Sequence, residues 1–194
     1  MSFVYVVRSN FTRPDLQEQW NTWYSGPKLT EMVTHPHFLS GQRYEAVGLD
    51  QTIRYLALWV VESPDAFTSD QYKARWGWAE WQPYISHWSR NLYDAGARDM
   101  TRLLDVPSGG GLYLAAFEGV PAADAEKRRE EAQAQRPDVL WLPVAGLDRS
   151  CPVIGVQALT DPAQASPLPL SLAAGVRETA FWPLTGRRRA KPRN

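Results

Sequence analysis

The order in which hydrophobic periods succeed one another limits this chain more than any single motif. Residues 3–9 alternate and are rich in Val and Tyr, a strand pattern. After a breaker at residues 10–15, Leu16, Trp20, Trp23 and Tyr24 fall at helical spacing, with Pro14 or Asp15 opening the helix. Gly26-Pro27 interrupts that spacing, which resumes at Leu29, Met32 and Val33. Residues 40–47 and 52–61 read as a hairpin around Gly48-Leu49-Asp50. Ser63-Pro64-Asp65 opens a second helix with Tyr72, Trp76, Ala79 and Glu80 on one side. Pro83 kinks or restarts it, and Trp81, Ile85, Trp88 and Leu92 continue at i, i+4, i+7 and i+11. A fourth strand is expected at residues 97–104, giving the order β-α-β-β-α-β.

Residues 107–186 read as a worn copy of that plan. Gly109-Gly110-Gly111 follows Ser108 as a linker, residues 112–118 are strand-like, and residues 123–135 form a charged helix with little apolar face. Residues 139–147 and 152–159 give the hairpin, and residues 176–184 the last strand. Residues 161–169 carry three prolines where a second helix belongs, which makes a helix there unfavourable. The expected fold is therefore α+β: tandem ferredoxin-like repeats, antiparallel sheets with helices on one face, at residues 1–106 and 107–186. Two such units, within one chain or across a homodimer, cover each other's open sheet faces, and a cavity is expected between them.

Composition excludes several classes. The 21 basic and 21 acidic side chains cancel, which argues against a nucleic-acid partner. Residues 187–194 hold five basic side chains and no acid, read as a mobile tail. No apolar run approaches the roughly 18 residues of a membrane span. The first residues have no leader pattern, and Cys151 stands alone, so a cytoplasmic location is expected. There is no G-x-x-x-x-G-K-[ST], no G-x-G-x-x-G after a strand, no G-x-S-x-G and no C-x-x-C.

Three segments carry a family likeness. Trp23-Tyr24-Ser25-Gly26-Pro27-Lys28-Leu29-Thr30-Glu31, then Phe38-Leu39-Ser40-Gly41-Gln42-Arg43-Tyr44, then Tyr55-Leu56-Ala57-Leu58-Trp59-Val60-Val61-Glu62-Ser63-Pro64-Asp65 resemble the dimeric α/β-barrel superfamily, in particular its small bacterial EthD-like members. Those read W-Y-x-x-x-H-x-P-E, G-F-x-x-x-x-R-Y and Y-L-A-L-Y-E-x-x-S-P. The resemblance covers residues 1–105. It implies a ferredoxin-like fold and a superfamily of polyketide cyclases, isomerases, monooxygenases and haem proteins. The family's common His, a cavity acid/base in several relatives, aligns here with Lys28, an amine that becomes a base only if burial lowers its pKa.

Other residues follow from their chemistry. His35 and His37 flank Pro36 in a loop; His35 is a candidate for proton transfer, and the pair offers too few ligands for a metal. His87 lies beyond Pro83, away from the haem-ligand position that the resemblance implies, which falls near Trp76; haem is kept as a minority cofactor. Trp76, Trp78 and Trp81 span more than one helix face, so some must leave the core. Glu80 among them is a candidate acid. In the hairpin Arg43 and Tyr44 point to opposite faces; Tyr44 can polarise a carbonyl, and Arg54 can bind a carboxylate.

The resulting expectation is a cofactor-independent enzyme acting on a small aromatic or polyketide-like molecule by proton transfer, of lyase, cyclase or isomerase type. Lys28, His35, Tyr44 and Glu80 are the catalytic candidates. Trp23, Tyr24, Arg54, Trp76, Trp78 and Trp88 are the substrate-binding ones. A haem-binding or oxygen-using monooxygenase is one alternative, and a non-catalytic small-molecule-binding or structural dimer is another.

Overall fold

The computed structural model describes residues 1–48, 52–107 and 109–191. Leu49 and Asp50 of the expected turn and Ser108 of the expected linker lie outside the described residues. Strands β1 (Phe3–Phe11), β2 (Phe38–Ala46), β3 (Tyr55–Val61) and β4 (Ile85–Asp94) come from the first half. Strands β5 (Gly111–Ala116), β6 (Leu140–Leu147), β7 (Val153–Leu159) and β8 (Arg177–Pro183) come from the second. The hydrogen-bonded orders, β2-β3-β1-β4 and β6-β7-β5-β8, are the same arrangement used twice. β4 pairs with β6 and β8 pairs with β2, so these strands close into one antiparallel barrel within a single chain. Closure needs no second copy.

One parity of each strand points into the barrel. Val4 and Val6, Leu56, Leu58 and Val60, Leu112 and Leu114, Ile154 and Val156 pack there with Tyr44, Tyr93 and Phe181. The expected cavity between the two sheets is therefore occupied by the buried side chains of a hydrophobic core. The opposite parity, including Tyr5, Val7 and Trp59, faces outward to the helices. Trp59 lies flat across its cross-strand neighbour Gly41, where a Cβ would come within 2.2 Å of the indole. Gly155 lies under Trp141 in the same way, at 2.5 Å, in the second half.

In the first half, α1 (Gln17–Trp23) runs through a π turn, Tyr24–Lys28, into α2 (Leu29–Met32). Pro27 explains the turn: it has no N–H to donate and its ring crowds the carbonyl four residues back, so the helix widens. Ser69 Oγ accepts from the Tyr72 amide at 3.3 Å and opens α3 (Asp70–Arg75).

Past Pro83 the expected helix is instead β4. The register of β4 against β1 shifts between Arg8 and Asn10, with His87 at φ 48°. This bulge puts Ile85, Trp88 and Leu92 on one face at spacings of three and four, which imitate a helix in the sequence. The expected strand at residues 97–104 is the short helix α4 (Met100–Leu103), capped by Asp99 Oδ1, which accepts from the Thr101 and Arg102 amides at 3.1 and 3.3 Å.

The second half adds α5 (Ala125–Gln135) and, after the prolines, the four-residue α6 (Leu170–Ala173). The basic tail is not free as far as residue 191. β9 (Arg188–Arg189) pairs with Ser40 and Gly41 of β2. The Arg187 side chain is 2% exposed, donates to Ser40 Oγ at 3.1 Å, Tyr44 Oη at 3.4 Å and the Leu104 carbonyl, and thereby plugs one end of the barrel. Glu118 at the other end bridges Arg8 and Arg177. Residues 192–194 lie outside the described residues. Among the described residues no helix is long and apolar enough to cross a membrane.

Candidate functional site

A cleft opens on the outer face of the first-half sheet, beneath the helical cover. Tyr5 and Val7 of β1, Trp59 of β3 and Trp88 and Arg90 of β4 form its floor. Tyr24, Lys28 and Met32 make one wall; Tyr72 and the loop Trp76-Gly77-Trp78 make the other. The π turn places Tyr24 and Lys28 four residues apart on the same wall. The bulge in β4 aims Trp88 and Arg90 at the other side. As it stands the cavity is about 30 Å³, against the ~10–15 Å³ that one water requires. A larger ligand enters only if a wall moves. At the mouth Trp76 and Trp88 are 44% and 40% exposed, and Gly77 between Trp76 and Trp78 sits at φ 95°, a conformation few other residues adopt.

Lys28 is a buried amine with no carboxylate at ion-pair distance among the described residues. Its Nζ donates to the Arg75 carbonyl, while Glu31 pairs with Arg75 at 3.5 Å. Burial pulls the Lys28 ammonium below the ordinary lysine range, with Glu31 opposing and Arg75 assisting. Across the cleft the hydroxyls of Tyr5 and Tyr72 lie 3.3 Å apart. Burial raises both phenols, so both stay protonated donors. The Arg90 guanidinium stacks over Trp76 at 4.4 Å, and its Nε reaches Asp148 Oδ1 at 3.4 Å.

Of the residues singled out from sequence, Tyr24, Lys28, Trp76, Trp78 and Trp88 meet in this cleft. The other five lie elsewhere. His35 is buried behind Tyr72, ring centroids 6.2 Å apart, with both ring nitrogens unpartnered. Burial lowers its pKa, Lys28 and Arg75 adding to the effect and Glu31 opposing it. Tyr44 points into the barrel, where its hydroxyl donates to Gln42 Oε1 at 2.8 Å. Glu80 is exposed because the break at Gly77 turns it away from Trp76. Arg54 is exposed and held by Glu45 at 2.7 Å. Trp23 packs outside the cleft on Tyr24 and Trp81.

Tyr5, Tyr72, Trp59 and Arg90 are the residues that sequence reasoning missed. The alternation of β1 placed Tyr5 on one face, but which face carried a site was not legible. Arg90 was hidden by the helical misreading of β4.

No family model and no curated protein matches the chain. Solved structures do. An anthrone oxidase-like protein aligns over 98% of this chain and 94% of its own, at 13% identity and a TM-score of 0.59. A chlorite dismutase variant from Candidatus Nitrospira defluvii covers 94% and 92%, at 11% identity and 0.52. A haem-binding protein from Thermus thermophilus covers 94% and 91%, at 13% identity and 0.51. At these identities the likeness speaks for the backbone alone. No imidazole lines this cleft, whose nitrogen and oxygen donors are Lys28, Arg90 and the phenols of Tyr5, Tyr24 and Tyr72. The chain has the fold of the dimeric α+β barrels, ferredoxin-like in both halves and closed within itself.

Proposed function

We propose that the first-half cleft binds a small flat aromatic molecule and that Lys28 transfers a proton to or from it without a cofactor. The observation that carries this is the Lys28 amine, buried and matched by a backbone carbonyl alone, opening onto a wall of indoles. Taking the neutral form costs a buried lysine less than an exposed one, which is what a base requires. Trp76, Trp78 and Trp88 offer faces for stacking and keep water out. A positioned acid or base contributes about 10²–10⁴-fold. In the EthD-like pattern a His stands where Lys28 is, so the role argued for Lys28 rests on its burial and not on that likeness.

A second reading shares the first step. A carbanion formed by Lys28 can isomerise or cyclise, or it can react with oxygen, converting a ring CH2 and O2 into a carbonyl and water. The anthrone oxidase-like neighbour favours the oxygen branch as much as the other.

The test incubates an aromatic-metabolite extract with wild type and with Lys28→Met, following masses and dissolved oxygen. Consumption by wild type alone, with kcat/KM rising with pH through an apparent pKa below the ordinary lysine value, is the expected result. Oxygen uptake in step with consumption selects the monooxygenase branch. Equal consumption by both proteins removes Lys28 from the chemistry.

A further inference from the structure

We propose that the ligand of this cleft is an aromatic carboxylate, its carboxylate held by Arg90 with the Tyr5–Tyr72 phenol pair; this rests on the reading that the cleft takes a flat aromatic molecule. The argument starts from charge. The Arg90 guanidinium and the Lys28 amine line the cleft, and among the described residues no Asp or Glu does. Glu31 is turned to Arg75, and Asp148 holds the Arg90 backbone amide at 2.9 Å and its Nε at 3.4 Å. That anchoring fixes the inner end of the guanidinium, which also reaches the Tyr72 hydroxyl, so a carboxylate would meet the Nη groups beside that phenol. Their planar fork suits the two oxygens of a carboxylate.

Hydrogen counting points the same way. When one of the Tyr5 and Tyr72 hydroxyls donates to the other, the second keeps a hydrogen with no acceptor in the pair. Buried donors of this kind are nearly always matched, so the recess lacks an acceptor that a ligand can bring. Stacking of Arg90 on Trp76 ties the recess to the aromatic wall. An acidic group on the rim of a flat ring meets the cation while the ring lies along the indoles.

The probes are 2-naphthoate and its neutral isostere 2-naphthamide, titrated calorimetrically into wild type, Arg90→Gln and Tyr72→Phe. Naphthoate is expected to bind wild type roughly tenfold tighter than the amide or better. Arg90→Gln should abolish the preference, bringing naphthoate down to the amide's affinity for the same variant. Tyr72→Phe should lose part of the preference, and it decides the matter if Arg90→Gln fails to fold. Equal binding of both probes by wild type, or a preference that survives both substitutions, overturns the carboxylate assignment and leaves the aromatic cleft standing. Binding of neither probe overturns the aromatic reading, and this proposal with it.

Discussion

The two halves of the barrel use one strand order but treat their buried polar groups differently. Trp141 in the second half lies over Gly155, and its Nε1 donates to the Arg136 carbonyl at 3.1 Å. Trp59 in the first half lies over Gly41 in the same way, yet its buried Nε1 has no partner, and neither do Trp20 Nε1, Tyr55 Oη or either nitrogen of His35. In the second half Tyr113 is matched by Glu178 and Arg136 by Asp138. Charge follows the same division. The first half buries Arg43 beneath Trp20 and Tyr24, at 4.6 and 4.2 Å, with hydrogen bonds only to Asn21 and Ser25. Burial pushes that guanidinium down to about 10 against Tyr24, Tyr55 and Glu45, which hold it up. Most of the unmatched buried donors lie in the half that carries the cleft, while the second half has Arg128 Nε.

Substitutions can break or sharpen that contrast. The largest loss is expected from Arg43→Ala, which empties a fully buried site and strands Asn21 and Ser25: about 3–4 kcal/mol by denaturant titration. Next come the paired glycines. Gly41→Ala and Gly155→Ala should each cost about 1–3 kcal/mol, because the new methyl overlaps an indole. Only Gly41→Ala should also weaken ligand binding, since Trp59 lines the cleft and Trp141 does not. Loss of binding in Gly155→Ala would erase the distinction between the halves. Arg187→Ala should cost about 2 kcal/mol through the acceptors it leaves in the barrel end.

Lys28→Met is expected to behave oppositely, keeping or raising stability at neutral pH while ending turnover. The folded protein holds the Lys28 pKa below its unfolded value, so the unfolded chain binds the extra proton between the two. Wild-type stability attributable to this group therefore rises with pH across that window, and the slope should vanish in Lys28→Met. The smallest effects belong to Glu80→Gln and Arg54→Gln, within about 0.5 kcal/mol and without change in binding.

Legibility in the sequence followed the range of the interactions. Strands β1, β2, β3, β5, β6, β7 and β8 could be read because short runs rich in Val, Leu and aromatics between turn residues are a local signal, even where, as in β3, both faces are buried. β4 could not, because the bulge at His87 breaks the alternation that would identify it. The docking of Arg187 was equally hidden: its acceptors Ser40 and Leu104 lie far along the chain, so nothing near residues 187–191 distinguishes a plug from a loose basic end. The aromatic wall was legible in part. Trp76, Trp78 and Trp88 were too crowded to share one core stripe, but the phenols and guanidinium that complete the cleft come from separate strands and helices and met only on folding.

The most direct measurement is 19F NMR of 5-fluorotryptophan-labelled protein, its nine resonances assigned by single Trp→Phe substitutions, with 2-naphthoate added. Shifts at Trp59, Trp76, Trp78 and Trp88 with Trp141 and Trp182 unmoved are predicted. Unmoved cleft resonances, or shifts centred on Trp141, would contradict the assignment of the ligand site to the first half.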